Sequence, residues 1–208
     1  MRFFARRAAY EVLPPPYPLD FDHWTAGTAQ DYLQWYTAHI PARAAYVYRR
    51  ALGKPLPQGP IDPESLTGIW AWFLKTARTE PVPEARRQEE REKFGRFGDT
   101  FVSETHFTIL TEFILRDIAM FISLVFTTNH PSLYWDTVQT PKRHVDFQQP
   151  VLKGFLNARY GKPFAAAFQP DHMVFVQAAK LIPDHGKTSA VERDLVNLYR
   201  LWEQDIPG

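Results

Sequence analysis

Residues 103–128 constrain the fold more than any other stretch. They read SETHFTILTEFILRDIAMFISLVFTT. Ile109, Phe113, Ile114, Met120, Phe121, Leu124 and Val125 cover most of the circumference of a helix. A helix that is apolar nearly all round belongs in the middle of a fold. The spacing therefore predicts one long, buried central helix, capped by Ser103 or Thr100. Glu104, Thr108, Glu112 and Arg116 would form its single polar stripe, at successive i,i+4 positions. Arg116 and Asp117 interrupt the most apolar part, and no run of 18 apolar residues occurs anywhere. The segment reads as a core helix and not as a membrane span.

The flanking segments supply partners for such a helix. Tyr32, Trp35, Tyr36 and Ile40 fall near helical spacing after Thr28. Pro41 either kinks that helix or opens a new one, and Gly53 stops it. Asp62, Pro63, Ile61 and Leu66 carry the N-cap and hydrophobic-staple pattern of a second helix, whose apolar face is Leu66, Ile69, Trp70, Phe73 and Leu74. Residues 79–99 are rich in charge of both signs and predict a solvated helix with pairs such as Glu84–Arg87 and Glu89–Lys93, broken at Gly95 and Gly98. Residues 133–138 and 145–152 are short, aromatic and β-branched, and read as two strands of a hairpin or small sheet. The string GFLNARYGKPFAAAFQP reads as irregular. Residues 171–181 suggest a short helix that buries Met173, Val174, Val176 and Leu181. A last helix carries a capping box at Ser189 and Glu192, then Val191, Leu195, Leu198 and Trp202.

Together these elements predict an α+β fold, mainly helical, with a long buried central helix and a small antiparallel β hairpin or sheet. Residues 1–22, with Pro14, Pro15, Pro16 and Pro18, form an extended arm packed through its aromatics. Residues 23–208 form one mainly helical domain.

Composition narrows the functional classes. The 208 residues carry 24 basic and 23 acidic side chains, a net charge of +1. A protein that clamps a phosphate backbone usually shows a clear basic excess, so no nucleic-acid partner is expected. The Arg2, Arg6 and Arg7 cluster reads as a solvated terminus. No cysteine is present, which removes disulfides, cysteine zinc sites and thiol nucleophiles. Arg6 and Arg7 split the first apolar residues, which argues against a secretory signal. The expectation is a soluble cytoplasmic protein with no membrane partner and no cofactor.

Several strings resemble a family of uncharacterised bacterial proteins. They are the Trp24 to Tyr36 segment followed by IPAR, then ETHFTILTEFILRDIAMF, PSLYW, QPVLKGF and FQPDHMVFVQAAK. Together they span most of residues 21–181. The resemblance implies an opening helical pair, a long central helix and a small β segment. It extends to candidate immunity proteins of bacterial toxin systems, and it brings no catalytic residues. This chain has Ser123 where the related central helices often carry a glycine.

Three constellations could carry chemistry. Glu112, Arg116 and Asp117 would form a carboxylate–guanidinium site facing a pocket, or an i,i+4 pair that anchors the helix, which is the commoner case. His144 and Asp146, with Asp171 and His172, have metal-ligand chemistry. Two alternate positions on one strand fall short of three converging ligands, so no metal is expected. The aromatic set Trp24, Tyr32, Trp35, Tyr36, Trp70 and Trp72 is either an interaction face or helix–helix core, with Trp35 and Trp70 favoured for core. No G-x-S-x-G, G-x-G-x-x-G or Walker pattern occurs. The reading is a non-enzymatic protein-binding protein, immunity-like in character. The alternative is a small-molecule-binding protein or hydrolase, with Glu112, Arg116, Trp135, His144 and His172 around a pocket between the central helix and the β segment.

Overall fold

The computed structural model describes residues 9–94, 103–157, 162–182 and 189–207. Among the described residues, six α-helices and two small antiparallel sheets make up an α+β fold that is mainly helical. The helices are α1 (Ala26–Leu52), α2 (Ser65–Thr76), α3 (Glu84–Phe94), α4 (Ile109–Asn129), α5 (Pro170–Ala179) and α6 (Asp194–Glu203). The strands are β1 (Thr79–Pro81), β2 (Thr105–Phe107), β3 (Tyr134–Thr137), β4 (Pro150–Asn157) and β5 (Phe164–Phe168).

The central helix is α4, and it is as buried as its pattern predicts. Ile114, Leu115, Ile118, Ala119, Met120, Phe121, Ile122, Val125 and Phe126 are all enclosed. Its start lies six residues later than residue 103, however. Thr105, His106 and Phe107 form β2, which pairs antiparallel with Thr79–Pro81. Thr108 is the N-cap, and its hydroxyl accepts from the Thr111 amide. Thr111 in turn bonds both the amide and the carbonyl of Arg78, tying the end of α2 to the start of α4. Long-range pairing outweighs helical periodicity here, so Glu104 and Thr108 are not on the helix. Ser103 does not cap it, and Thr100 lies outside the described residues.

α1 is the second long element, about 40 Å at 1.5 Å per residue. Thr25 caps it, Pro41 sits inside it without ending it, and Gly53 closes it in the left-handed conformation. Tyr32, Tyr36, Ile40, Arg43, Ala44 and Val47 form its buried face, which lies along α4. Asp62 accepts from the Glu64 amide and opens a tight turn that leads into α2 at Ser65. Ile61 and Leu66 are buried there, as a staple requires. α3 holds the expected Glu84–Arg87 contact. The side chain of Lys93, with Gly95 and Gly98, lies outside the described residues.

The larger sheet has the order β3-β4-β5, all antiparallel. Residues 145–149 are not strand. His144, Asp146 and their neighbours make successive tight turns, Phe147 N–H to His144 O and Gln149 N–H to Asp146 O. The strand therefore starts at Pro150. The third strand, β5, falls in the segment expected to be irregular. Its three alanines have low strand propensity, and its pairing with Phe155, Leu156 and Asn157 of β4 holds it in place. The ladder is irregular between Leu152 and Phe155, where Gly154 has φ +110°. A Cβ at Gly154 would lie 3.1 Å from the Ser132 carbonyl oxygen. Gly154→Ala is expected to cost about 1–2 kcal/mol, because the backbone conformation and the close carbonyl both resist a side chain. Urea unfolding of the variant, compared with Gly53→Ala, checks this. Gly53 has open space around it, so an equal loss in the two variants would refute the close-approach part.

α5 is capped by Gln169, whose side chain accepts from the His172 amide, with Pro170 in its first turn. Val174 is buried and Val176 is exposed. The capping box expected at Ser189 and Glu192 is not the one used. α6 opens at Asp194, which accepts from the Val191 amide and from Lys180. Val191 is exposed, while Leu195, Val196, Leu198 and Tyr199 are buried. Trp70 is fully buried and Trp35 partly so. Trp72 is half-covered, stacked on Tyr10 at 6.3 Å. Residues 1–8, and with them Arg2, Arg6 and Arg7, lie outside the described residues. No helix among the described residues is long and apolar enough to cross a membrane.

Candidate functional site

The buried charges of α4 do not pair as i,i+4 spacing suggested. Glu112 and Arg116 form no ion pair; the Arg116 guanidinium lies 5.7 Å from the centre of the Phe113 ring. The buried ion pair of this helix is Asp117 with Arg43 of α1. Arg43 Nε donates to Asp117 Oδ1 at 2.9 Å and Nη2 donates to Oδ2 at 2.5 Å, with both side chains almost fully enclosed. Two further contacts complete it. The Tyr10 hydroxyl donates to Asp117, and Arg43 Nη2 donates to the Glu11 carbonyl at 2.6 Å. The guanidinium also lies 4.6 Å from the centre of the Tyr46 ring. Burial raises the Asp117 carboxyl, and the hydrogen bonds from Arg43 and Tyr10 oppose that rise. This cluster fastens Tyr10 and Glu11 to α1 and α4.

About 100° around α4 from Asp117, Arg116 opens on a cleft of about 180 Å³ that α5 also lines. Leu19 and Phe21 of the arm, Tyr32 of α1, Leu115 of α4 and Phe175 of α5 form its walls. Glu112, Arg116, Gln149 and Asp171 supply its polar surface. The gathering follows from the elements. Glu112, Leu115 and Arg116 share one α4 face at i, i+3 and i+4. Asp171 sits in the first turn of α5, where a carboxylate meets the positive end of the helix dipole. Gln149 is held in place on both sides: its amide donates to the Val145 carbonyl at 2.9 Å, and its oxygen accepts from Gln169 at 3.0 Å.

Two side chains of this lining carry a buried polar atom with no well-formed hydrogen bond among the described residues, Arg116 Nη1 and Asp171 Oδ1, and the buried Tyr36 hydroxyl, itself without a well-formed bond, lies close enough to act on the Asp171 carboxyl. Such atoms are uncommon in folded proteins, where more than nine in ten buried polar groups are paired. Burial pushes the Asp171 carboxyl up to about 6; the nearby Arg116 charge and the Tyr36 hydroxyl pull against that rise, and Asp117 adds to it. Burial also raises Glu112, while His106 and Arg116 hold it back. A carboxyl that titrates near neutrality beside an unpaired guanidinium can take up a proton, or hold a cationic or hydrogen-bond-donating group.

Of the residues expected at a site, Glu112 and Arg116 line the cleft. Trp135 does not; its ring packs edge-on against Tyr36 at 5.6 Å, where it belongs to an aromatic cluster with Tyr32 and Trp24. His144 and His172 are exposed and lie to one side. His144 Nδ1 is 3.8 Å from Asp146 Oδ2. Burial raises the Asp146 carboxyl, and His144 and His172 both oppose the rise. Among the described residues no three His, Asp or Glu side chains are grouped to hold a metal ion. Asp171, which the sequence suggested only as a metal partner, belongs instead to the cleft. Tyr32 was singled out only within an aromatic set read as an interaction face or core, and Gln149 was not singled out at all; only the convergence of three elements brings them to the cleft. In comparisons with known proteins, no family model matches the chain, and no curated protein or solved structure is significantly similar to it.

Proposed function

We propose that the protein binds a small molecule in the cleft between α4, α5, α1 and the arm. One observation carries this reading: Arg116 Nη1 and Asp171 Oδ1 are buried without a well-formed hydrogen bond on the lining of a cleft with apolar walls. Ligand sites commonly combine mostly apolar walls with a few convergent polar groups. An unpaired buried charge costs stability, and a ligand that pairs it recovers that cost on binding. Binding is favoured over turnover because the lining includes no Ser, Thr, His or Lys beside the raised carboxyl. The protein-binding role expected from the sequence has less support. Tyr134, Leu156 and Phe164 are exposed on the larger sheet, but among the described residues no buried, unpartnered charged atom accompanies them.

Screening a fragment library by NMR tests the proposal. The expected hits shift the amide resonances of Tyr32, Arg116, Asp171 and Phe175. Leu19 lines the cleft from the exposed arm, so Leu19→Trp fills the cleft without entering the core. It is expected to weaken those hits at least tenfold. Hits scattered over the surface and indifferent to Leu19→Trp would refute the assignment.

A further inference from the structure

We infer that the occupant of the cleft is a free α-amino acid with a compact apolar side chain, held as the zwitterion with its carboxylate on Arg116 and its ammonium on Asp171. The inference rests on the cleft being a ligand site and adds the ligand's chemistry. Arg116 Nη1 is a donor without an acceptor, and Asp171 Oδ1 is an acceptor that the Tyr36 hydroxyl approaches without forming a well-shaped hydrogen bond. No hydrogen bond or ion pair joins the two, so a head group that meets both must carry an acceptor and a donor. Charge then selects among such groups. A simple carboxylate would be drawn to Arg116 and repelled by Asp171 and Glu112. A simple amine would meet the reverse. A neutral amide could bridge the two but would add no opposite charge to either. A zwitterion matches each charge with its opposite, through charge-assisted hydrogen bonds about twice as strong as neutral ones.

Glu112 lies on the same wall and offers the ammonium a second acceptor. Gln149 is already engaged at both ends of its amide, so it shapes the wall and does not compete for the head group. The side chain of the ligand would lie against Leu19, Phe21, Leu115 and Phe175, and about 180 Å³ limits it to a compact one. The charged and titratable groups around Asp171 are Glu112, Arg116 and Asp117 on α4, Tyr32 and Tyr36 on α1, and His172 beside it on α5. Asp117 is itself neutralised by Arg43. Protonation of Asp171 removes the partner of the ammonium, so binding weakens as the pH falls below about 6.

Isothermal titration at pH 7.5 with four matched probes tests the inference: L-leucine, 4-methylpentanoate, 3-methylbutylamine and 4-methylpentanamide. L-leucine is expected to bind at least tenfold more tightly than each of the other three, and to weaken at least fivefold at pH 5. Asp171→Asn is expected to remove the advantage of L-leucine over 4-methylpentanoate. Arg116→Gln is expected to remove its advantage over 3-methylbutylamine. Circular dichroism confirms that each variant is folded. Equal or tighter binding of any truncated probe, or no binding of L-leucine, overturns the inference. If fragments still bind the cleft in that case, the cleft remains a ligand site and only the zwitterion is lost; if none do, both readings fall.

Discussion

Arg43→Met is expected to destabilise the protein by about 3–5 kcal/mol, the range found when one member of a buried ion pair is removed. The substitution keeps a long apolar side chain in place of the guanidinium stem, so little packing volume is lost. The cost comes from Asp117, which would be left as a buried carboxylate with only Tyr10 to hydrogen-bond it. Asp117 would respond by taking up a proton, which trades charge burial for a pH-dependent penalty. The Glu11 carbonyl would lose its donor as well, loosening the arm on α1. In a chain of this length the fall in Tm would be on the order of 10 °C. Urea unfolding and limited proteolysis of the arm measure the two consequences. The double variant Arg43→Met with Asp117→Leu should recover most of the loss, because an apolar pair of similar size leaves no orphaned charge. Arg116→Gln should cost much less than Arg43→Met, since Arg116 has no paired carboxylate to abandon. A loss at Arg116 equal to that at Arg43 would show that the structural charge pair had been placed on the wrong residues.

The difference between those two arginines also shows what was legible in the sequence. Arg116 attracted notice because Glu112 stands four residues before it, which is a local signal. Arg43 and Asp117 are 74 residues apart, and no local pattern joins them. A trace existed all the same. Tyr36, Ile40, Arg43 and Val47 follow each other at helical spacing on the buried face of α1, and an arginine among core-facing positions calls for a buried partner. The same contrast runs through the fold. The buried body of α4 was readable because nearly every position from Ile114 to Phe126 is apolar. Its start was not, because β2 exists only through pairing with residues 79–81. β5 was missed for the same reason: a run of three alanines becomes a strand when β4 lies beside it. At the cleft, the half supplied by α4 was visible as Glu112 and Arg116. Asp171 looked like an ordinary acid in a first helical turn, and only the packing of α5 on α4 encloses it.

Asp171→Asn is expected to stabilise the free protein by about 2–3 kcal/mol at pH 7.5 and to leave it nearly unchanged at pH 4. The Asp171 carboxyl is carried from an ordinary value of 3.8 to about 6 by burial. Its protonated form is therefore favoured in the folded state. Relative to a group with an unshifted pKa, that contribution is fully present below about pH 4. It disappears as the pH rises through about 6, where the folded protein must hold a buried anion that the Arg116 charge and the Tyr36 hydroxyl offset only in part. Each tenfold shift in proton affinity corresponds to about 1.4 kcal/mol, so the ionised side chain costs the free protein roughly 3 kcal/mol. Asparagine removes the charge while keeping the size. It retains a buried polar group without a partner, which is why the gain falls somewhat short of the whole. Glu112, Asp117 and Asp146 are raised by burial as well, so their ionisation also lowers wild-type stability as the pH rises. The difference between variant and wild type isolates Asp171. Urea midpoints measured at pH 4, 5, 6 and 7.5 should diverge steadily over that range. Equal midpoints at pH 7.5, or a less stable variant, would mean that Asp171 already has a partner in the fold. A variant that is more stable and no longer distinguishes L-leucine from 4-methylpentanoate would show a carboxylate kept at a cost to the free protein because the ligand requires it.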